Sequence, residues 1–148
     1  MDGLNIKKDA IKMRRLEAMS VIEDSFPWIK NHYGRSKFKK CFPSIKYHDN
    51  IYARLSGIED AQGEESESIV AEYARGTNTI WLYTPNINNP LHLISSLLHE
   101  YTHYLQSPTW MKRYYDMGYE YTNHPYELEA LEAERLAETV DILSRKTL

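Results

Sequence analysis

Apolar positions open the chain with helical spacing: Ala10, Ile11, Met13, Leu16, Met19, Val21 and Ile22 recur between about Asp9 and Asp24. The pattern predicts a packing helix closed by Pro27, which lacks the N–H that a helix interior needs. Cys41 to Tyr47 alternates well enough for a short strand, whereas Ser56 to Ser68 is rich in Gly, Glu and Ser and reads as an exposed loop. From Ile69 to Arg75 and from Thr79 to Tyr83 two β-rich runs flank Gly76-Thr77-Asn78, which predicts a hairpin. Asn89 then stands where a cap belongs and Pro90 where a helix tolerates proline best, so a helix should run from Pro90 to near Ser107. After a connection holding Trp110, Tyr114, Tyr115, Tyr119 and Tyr121, a last helix is expected from about Pro125 to Arg145. Helix, strands and helices in that order make an α+β fold with a small twisted antiparallel sheet.

Composition narrows the chemistry. The 148 residues suit one domain spanning 1–148, and 42% hydrophobic with 12% aromatic residues argues for a packed core. No leader-like apolar stretch opens the chain and no run is long enough to span a bilayer, which predicts a cytoplasmic protein with no membrane partner. Cys41 is the sole cysteine, so a metal site must draw on His, Asp or Glu. With 18 Lys+Arg against 21 Asp+Glu the net charge is −3, which gives no global reason to bind nucleic acid. The basic run Arg35-Ser36-Lys37-Phe38-Lys39-Lys40 reads as a solvated loop or strand edge.

Within the Pro90 helix lies His99-Glu100-Tyr101-Thr102-His103, an H-E-x-x-H. Residues four apart on a helix sit about 40° apart and one turn along, so both imidazoles reach one ion at about 2.0–2.1 Å. Glu100 flanks them and can serve as base toward a water activated by zinc. Around His99 the wheel collects His92, Ser95, Ser96, Thr102, His103 and Gln106, with Ile94, Leu97, Tyr101 and Leu105 opposite. A polar stripe on a helix whose other side is apolar suits the floor of a cleft. His92 is too far along the axis to join the pair, and either lines the cleft or is an ordinary exposed histidine.

The last helix offers Glu127, Glu129, Glu132, Glu134 and Glu138 as a third ligand. Glu129 shares a stripe with Ala133, Leu136, Ala137, Val140 and Leu143, and an acid on a core face needs a cation or strong donors. It is the first candidate, with Glu132 the runner-up as ligand or as partner of a histidine N–H. A solvated face is assigned to the other glutamates.

These features resemble the zincin metallopeptidases, and among them the gluzincins, in which a downstream glutamate completes the HExxH site. The resemblance runs from about Ile69 to Val140, through Glu72-Tyr73, Asn78 to Leu82, His99 to Gln106 and Pro125 to Ala130, and is nearest the small single-domain members of bacteria and phages. It implies a Zn2+ cofactor held by His99, His103 and Glu129, with Glu100 as general base. It also implies an extended peptide or protein substrate paired to the strand before the motif helix, here Thr79, Ile80, Trp81, Leu82 and Tyr83. Gln106 and Thr109 break the metzincin pattern, and another zincin branch uses a downstream histidine, which keeps His124 as a competing ligand. An oxyanion donor is also required, and Tyr114, Tyr115, Tyr119, Tyr121 and Tyr126 are equal candidates. Trp81 and Trp110 read as core.

The sequence therefore points to a zinc metallopeptidase that hydrolyses peptide bonds through a metal-activated water. The alternatives are a zinc-stabilised binding module without catalysis, for instance a virion or regulatory protein, and a metal-free domain whose two histidines merely share a polar face.

Overall fold

The computed structural model describes residues 3–48 and 69–145, with side chains from Arg15 onward. The expected loop at 56–68 lies outside the described residues. The order is α1 (Gly3–Tyr33), β1 (Ser44–His48), β2 (Ala71–Ala74), β3 (Thr79–Tyr83), α2 (Pro90–Leu105), α3 (Pro108–Asp116), α4 (Pro125–Ala133) and α5 (Ala137–Ser144). This is a mixed α+β architecture. Among the described residues no helix is long and apolar enough to cross a membrane.

Helix α2 is the axle. It packs against α1, α4, α5 and the sheet, and Leu93, Ile94, Leu97, Leu98, Tyr101 and Tyr104 are almost fully buried along it. Each such side chain contributes roughly 1.5–3 kcal/mol on leaving water, so the helix carrying the histidines is the best-anchored element near the site. Its N-terminus follows the sequence closely, with Asn89 accepting from the His92 amide at 2.9 Å and Pro90 next. At the other end the Arg75 guanidinium donates to the carbonyls of His103, at 3.1 Å, and Gln106, at 3.2 Å. A cation there complements the negative end of the helix dipole. The turn between β2 and β3 thereby fixes the last turn of α2.

Helix α1 departs from its expected length. It continues through Pro27 to Tyr33, because Ile22, Phe26 and Ile29 are buried on one face while Pro27 is exposed on the other. An internal proline costs a helix about 3 kcal/mol, and burial on both sides of it offsets that cost. Gly34, at φ 77°, ends the helix and donates to the Lys30 carbonyl at 2.8 Å.

The hairpin forms as expected, with Ala74 opposite Thr79 and Ala71 opposite Leu82. Asn78 takes the left-handed position at φ 51°, which asparagine tolerates. The sheet is mixed, however, and not antiparallel. β1 is Ser44–His48 and pairs parallel with β3, giving the order β1-β3-β2. β3 is therefore the central strand. Ile80 and Leu82 point with Ile45, Tyr47, Ala71 and Tyr73 toward the helices.

Two further differences bear on the site. The aromatic connection contains helix α3, with Trp110 42% exposed and stacked under Arg113, so Trp110 is not core. The expected 125–145 helix is interrupted by a 3-10 turn at Glu134–Leu136 that separates α4 from α5.

Candidate metal centre

His99 and His103 leave α2 one turn apart and bring their Nε2 atoms to 3.2 Å. A carboxylate joins them from the first turn of α4. Glu127 places Oε1 2.8 Å from His103 Nε2 and Oε2 3.2 Å from His99 Nε2. Among the described residues this is the one cluster of His, Cys, Asp or Glu able to hold a metal ion. One ligand atom from each of the three residues lies within 4.8 Å of the others, and tetrahedral ligands at 2.0–2.1 Å from zinc lie about 3.3–3.4 Å apart, so the three residues are near enough to share one ion.

The outward nitrogens fix this orientation. His99 Nδ1–H donates to Glu134 Oε2 at 2.9 Å and His103 Nδ1–H donates to Gln106 Oε1 at 2.8 Å. The Gln106 amide is itself held, its Nε2 donating to the Tyr126 carbonyl at 3.0 Å and to Glu129 Oε1 at 3.3 Å. With both Nδ1 protons committed outward, both Nε2 atoms face Glu127, to which they donate in the metal-free fold; once those protons are lost, each would offer a lone pair to a cation there. Replacing Glu134 or Gln106 with Ala should weaken zinc affinity about 10–100-fold while leaving the fold intact, measured by competition with a chelating dye. An unchanged affinity in both variants would show that the rings are oriented by packing alone.

Charge makes the same case. Burial by itself would lower the pKa of His99, but hydrogen bonds to Glu127 and Glu134 and the field of Glu100 outweigh it and raise it to about 9. His103 is raised for similar reasons, burial opposing and Glu127 prevailing. Burial would raise Glu127, yet its two histidine partners hold it down at about 2. Three carboxylates around two imidazoles thus create a site that favours a cation. Glu100 is pushed up to about 7 by burial, against the lowering effect of His103 and His99. The amide of Tyr73 on β2 donates to its Oε1 at 3.0 Å. Glu100 is thereby held beside the ligand cluster without entering it.

Several sequence expectations require correction. Glu129 is not brought to the histidines; it is exposed and accepts from the Gln106 amide. Glu132 is exposed too and pairs with Arg135 at 3.4 Å. Conversely, Glu127 and Glu134, assigned by pattern to a solvated face, are the two acids that meet the rings. His124 is not brought to this cluster. Its Nδ1 accepts from the Tyr126 amide at 3.0 Å, capping α4, and its Nε2 donates to the Met111 carbonyl at 3.0 Å. His92 lies at the far end of α2, its Nδ1 accepting from the Asn88 amide at 3.2 Å.

The substrate strand is corrected as well. Thr79, Ile80, Leu82 and Tyr83 are buried and Trp81 is partly so, and β3 is paired on both sides, which leaves it no edge to offer. Among the described residues the unpaired edge beside the centre belongs to β2. Tyr83 N donates to Val70 O at 2.9 Å, so in this register the amides of Glu72 and Ala74 face β3 while those of Ala71 and Tyr73 face outward. The Tyr73–Glu100 bond agrees with that parity.

Of the five tyrosines, Tyr114, Tyr119 and Tyr126 pack in a ring cluster with Trp110 and His124. Tyr115 packs on His124 as well, and Tyr121 alone of the five hydrogen-bonds Glu127 among the described residues. Partial burial and the carboxylates of Glu127 and Glu100 push the Tyr121 phenol up to about 12, and burial and Glu127 raise Tyr115. Both phenols remain proton donors at neutral pH. Comparison with protein-family models, curated proteins and solved structures finds no match to this chain.

Proposed function

We propose that this chain is a small zincin-like metallopeptidase that binds one Zn2+ through His99 Nε2, His103 Nε2 and the carboxylate of Glu127, and hydrolyses a peptide bond of a polypeptide substrate. The observation that carries this reading is the convergence of those three donors beside Glu100, a carboxylate that a purely structural metal site does not require. The zinc, when bound, supplies a Lewis acid that lowers the pKa of a coordinated water toward about 7. The remaining steps fall to the chain. Glu100, steadied by the Tyr73 amide, takes a proton from the attacking water and hands it to the leaving amine. The Tyr121 phenol, hydrogen-bonded to Glu127 in the metal-free fold, would turn to donate to the oxygen of the attacked carbonyl. The outward edge of β2, through the Ala71 amide and carbonyl and the Tyr73 carbonyl, accepts an extended segment by main-chain pairing, the Tyr73 amide staying with Glu100.

Treating the zinc-loaded protein with a chelator should abolish cleavage of a mixed peptide library, and restoring zinc should return it. Cleavage that survives complete metal removal would overturn the reading.

The metal must displace protons, so affinity depends on pH. In the metal-free fold His99 keeps its proton up to about 9 while Glu127, held near 2, stays ionised throughout. His99 has a folded pKa above its usual 6.5, so its contribution to metal-free stability is present below about 6.5 and lost as pH rises through about 9. Glu100, raised to about 7, likewise favours the metal-free fold at low pH and withdraws that support between about 4.5 and 7. The metal-free melting temperature should therefore fall from pH 5 toward pH 9, and the increment added by zinc should grow over the same range. A zinc increment that shrinks with rising pH would contradict the proton displacement.

A further inference from the structure

One feature of the sequence has no part in the chemistry above. Residues 25–48 contain six Lys and Arg and no Asp or Glu, so the net charge of −3 divides into +6 in this stretch and −9 elsewhere. The structure gathers four of those cations, Arg35, Lys37, Lys39 and Lys40, on the loop between α1 and β1. That loop is pinned. Tyr104 accepts from the Ser36 amide at 3.1 Å and donates to the Cys41 carbonyl at 2.8 Å, Tyr101 donates to Gly34 O, and the Asn78 amide bonds the carbonyls of Cys41 and Phe42.

Arg35, Lys37 and Lys40 are exposed, as are Phe38 and Phe42. Among the described residues no carboxylate stands within ion-pair distance of any of the four cations. Arg35 and Lys39 instead use backbone carbonyls, of Lys40 at 2.8 Å and of Arg75 at 2.7 Å. Like charges held close on a fixed loop repel one another, and an anionic partner removes that cost.

The position of the loop says which partner. Arg75 follows β2 directly, carries the carbonyl that Lys39 grips, and reaches His103 with its guanidinium. A segment paired to the outward edge of β2 would leave that strand at the loop. We propose that the Arg35–Lys40 loop is an exosite that binds an acidic stretch of the polypeptide substrate, continuous with the β2 edge, so that the enzyme selects chains carrying Asp or Glu clusters beside the scissile bond. This rests on the peptidase reading for the meaning of the β2 edge. An acidic peptide fits better than nucleic acid, because the rest of the chain, at −9, repels an extended polyphosphate, whereas a short acidic run meets only the loop.

The test uses the zinc-loaded full chain carrying Glu100→Gln and two fluorescein-labelled peptides, one with a run of glutamates and one with glutamines in their place. At low salt the acidic peptide should bind about tenfold tighter, and this advantage should fall away with added salt. It should be lost in Lys37→Glu/Lys40→Glu and kept in Lys112→Glu, an exposed cation on α3. Equal binding of the two peptides, an advantage that survives the loop reversal, or tighter binding of a single-stranded oligonucleotide would each overturn the exosite. Hydrolysis of both peptides by the parent sequence separates the two levels. Equal cleavage with equal binding removes the exosite and spares the peptidase; charge-dependent binding with no cleavage keeps an acidic-peptide surface and removes the peptidase.

Discussion

Glu100→Gln should keep zinc near one per chain and lower peptide hydrolysis by about 10²–10⁴-fold, the usual span for losing a positioned general base. The substitution is nearly isosteric, and the glutamine oxygen can still accept from the Tyr73 amide that holds Oε1 at 3.0 Å. What disappears is the capacity to take a proton. Burial raises the Glu100 pKa to about 7 in the metal-free fold, with His103 and His99 pulling the other way. A divalent cation bound beside it would pull further in that direction and so favour the ionised form that a base requires. Glutamine cannot substitute at any pH. The checks are metal content by mass spectrometry and cleavage rate at matched zinc loading. Hydrolysis within a few-fold of the parent at full zinc occupancy would remove Glu100 from the mechanism.

The second large effect separates two glutamates two residues apart. Glu127→Ala should strip the zinc and collapse activity, whereas Glu129→Ala should retain nearly full metal and most activity. Glu127 touches both rings at 2.8 and 3.2 Å, while Glu129 is exposed and meets only the Gln106 amide, at 3.3 Å. Losing Glu127 also leaves two imidazoles with raised pKa values facing each other at 3.2 Å without their shared carboxylate. Metal-free Glu127→Ala should accordingly be less stable than metal-free parent at neutral pH, measured by thermal denaturation. Zinc retained in Glu127→Ala and lost in Glu129→Ala would reverse the assignment of the third ligand.

The same pair explains how far the sequence could be read. The histidines were legible because their spacing is local: a cap at Asn89, a proline at position 90 and an i, i+4 pair place both rings on one side of a single helix. The hairpin was legible for the same reason. The acid that joins the histidines depends on which face of the following helix turns inward, and aliphatic residues mislead there. Leu128, Leu131 and Leu143 are half or more exposed, whereas Ala130 and Ala137 are buried.

The inward stripe is Glu127, Ala130, Glu134 and Ala137, small residues alternating with acids, which lets α4 and the turn after it approach α2 closely. The seven-residue spacing of Ala130 and Ala137, matched by that of Glu127 and Glu134, was the available signal. An apolar wheel centred on Leu136, Val140 and Leu143 passes over it. The parallel pairing of β1 with β3 joins Ser44 to Thr79 across 35 positions, and no local pattern encodes such a partner. The passage of α1 through Pro27 likewise rests on what its neighbours bury and not on the proline.

The proposed function requires a zinc ion at one defined place. Anomalous diffraction at the zinc edge, from crystals of protein purified without added metal, locates it directly. The account predicts one strong peak about 2.0–2.2 Å from His99 Nε2, His103 Nε2 and a Glu127 oxygen, with Glu100 outside the ligand set. A peak placed instead at Glu129, His124 or Cys41, or no peak in crystals soaked with zinc, would contradict it.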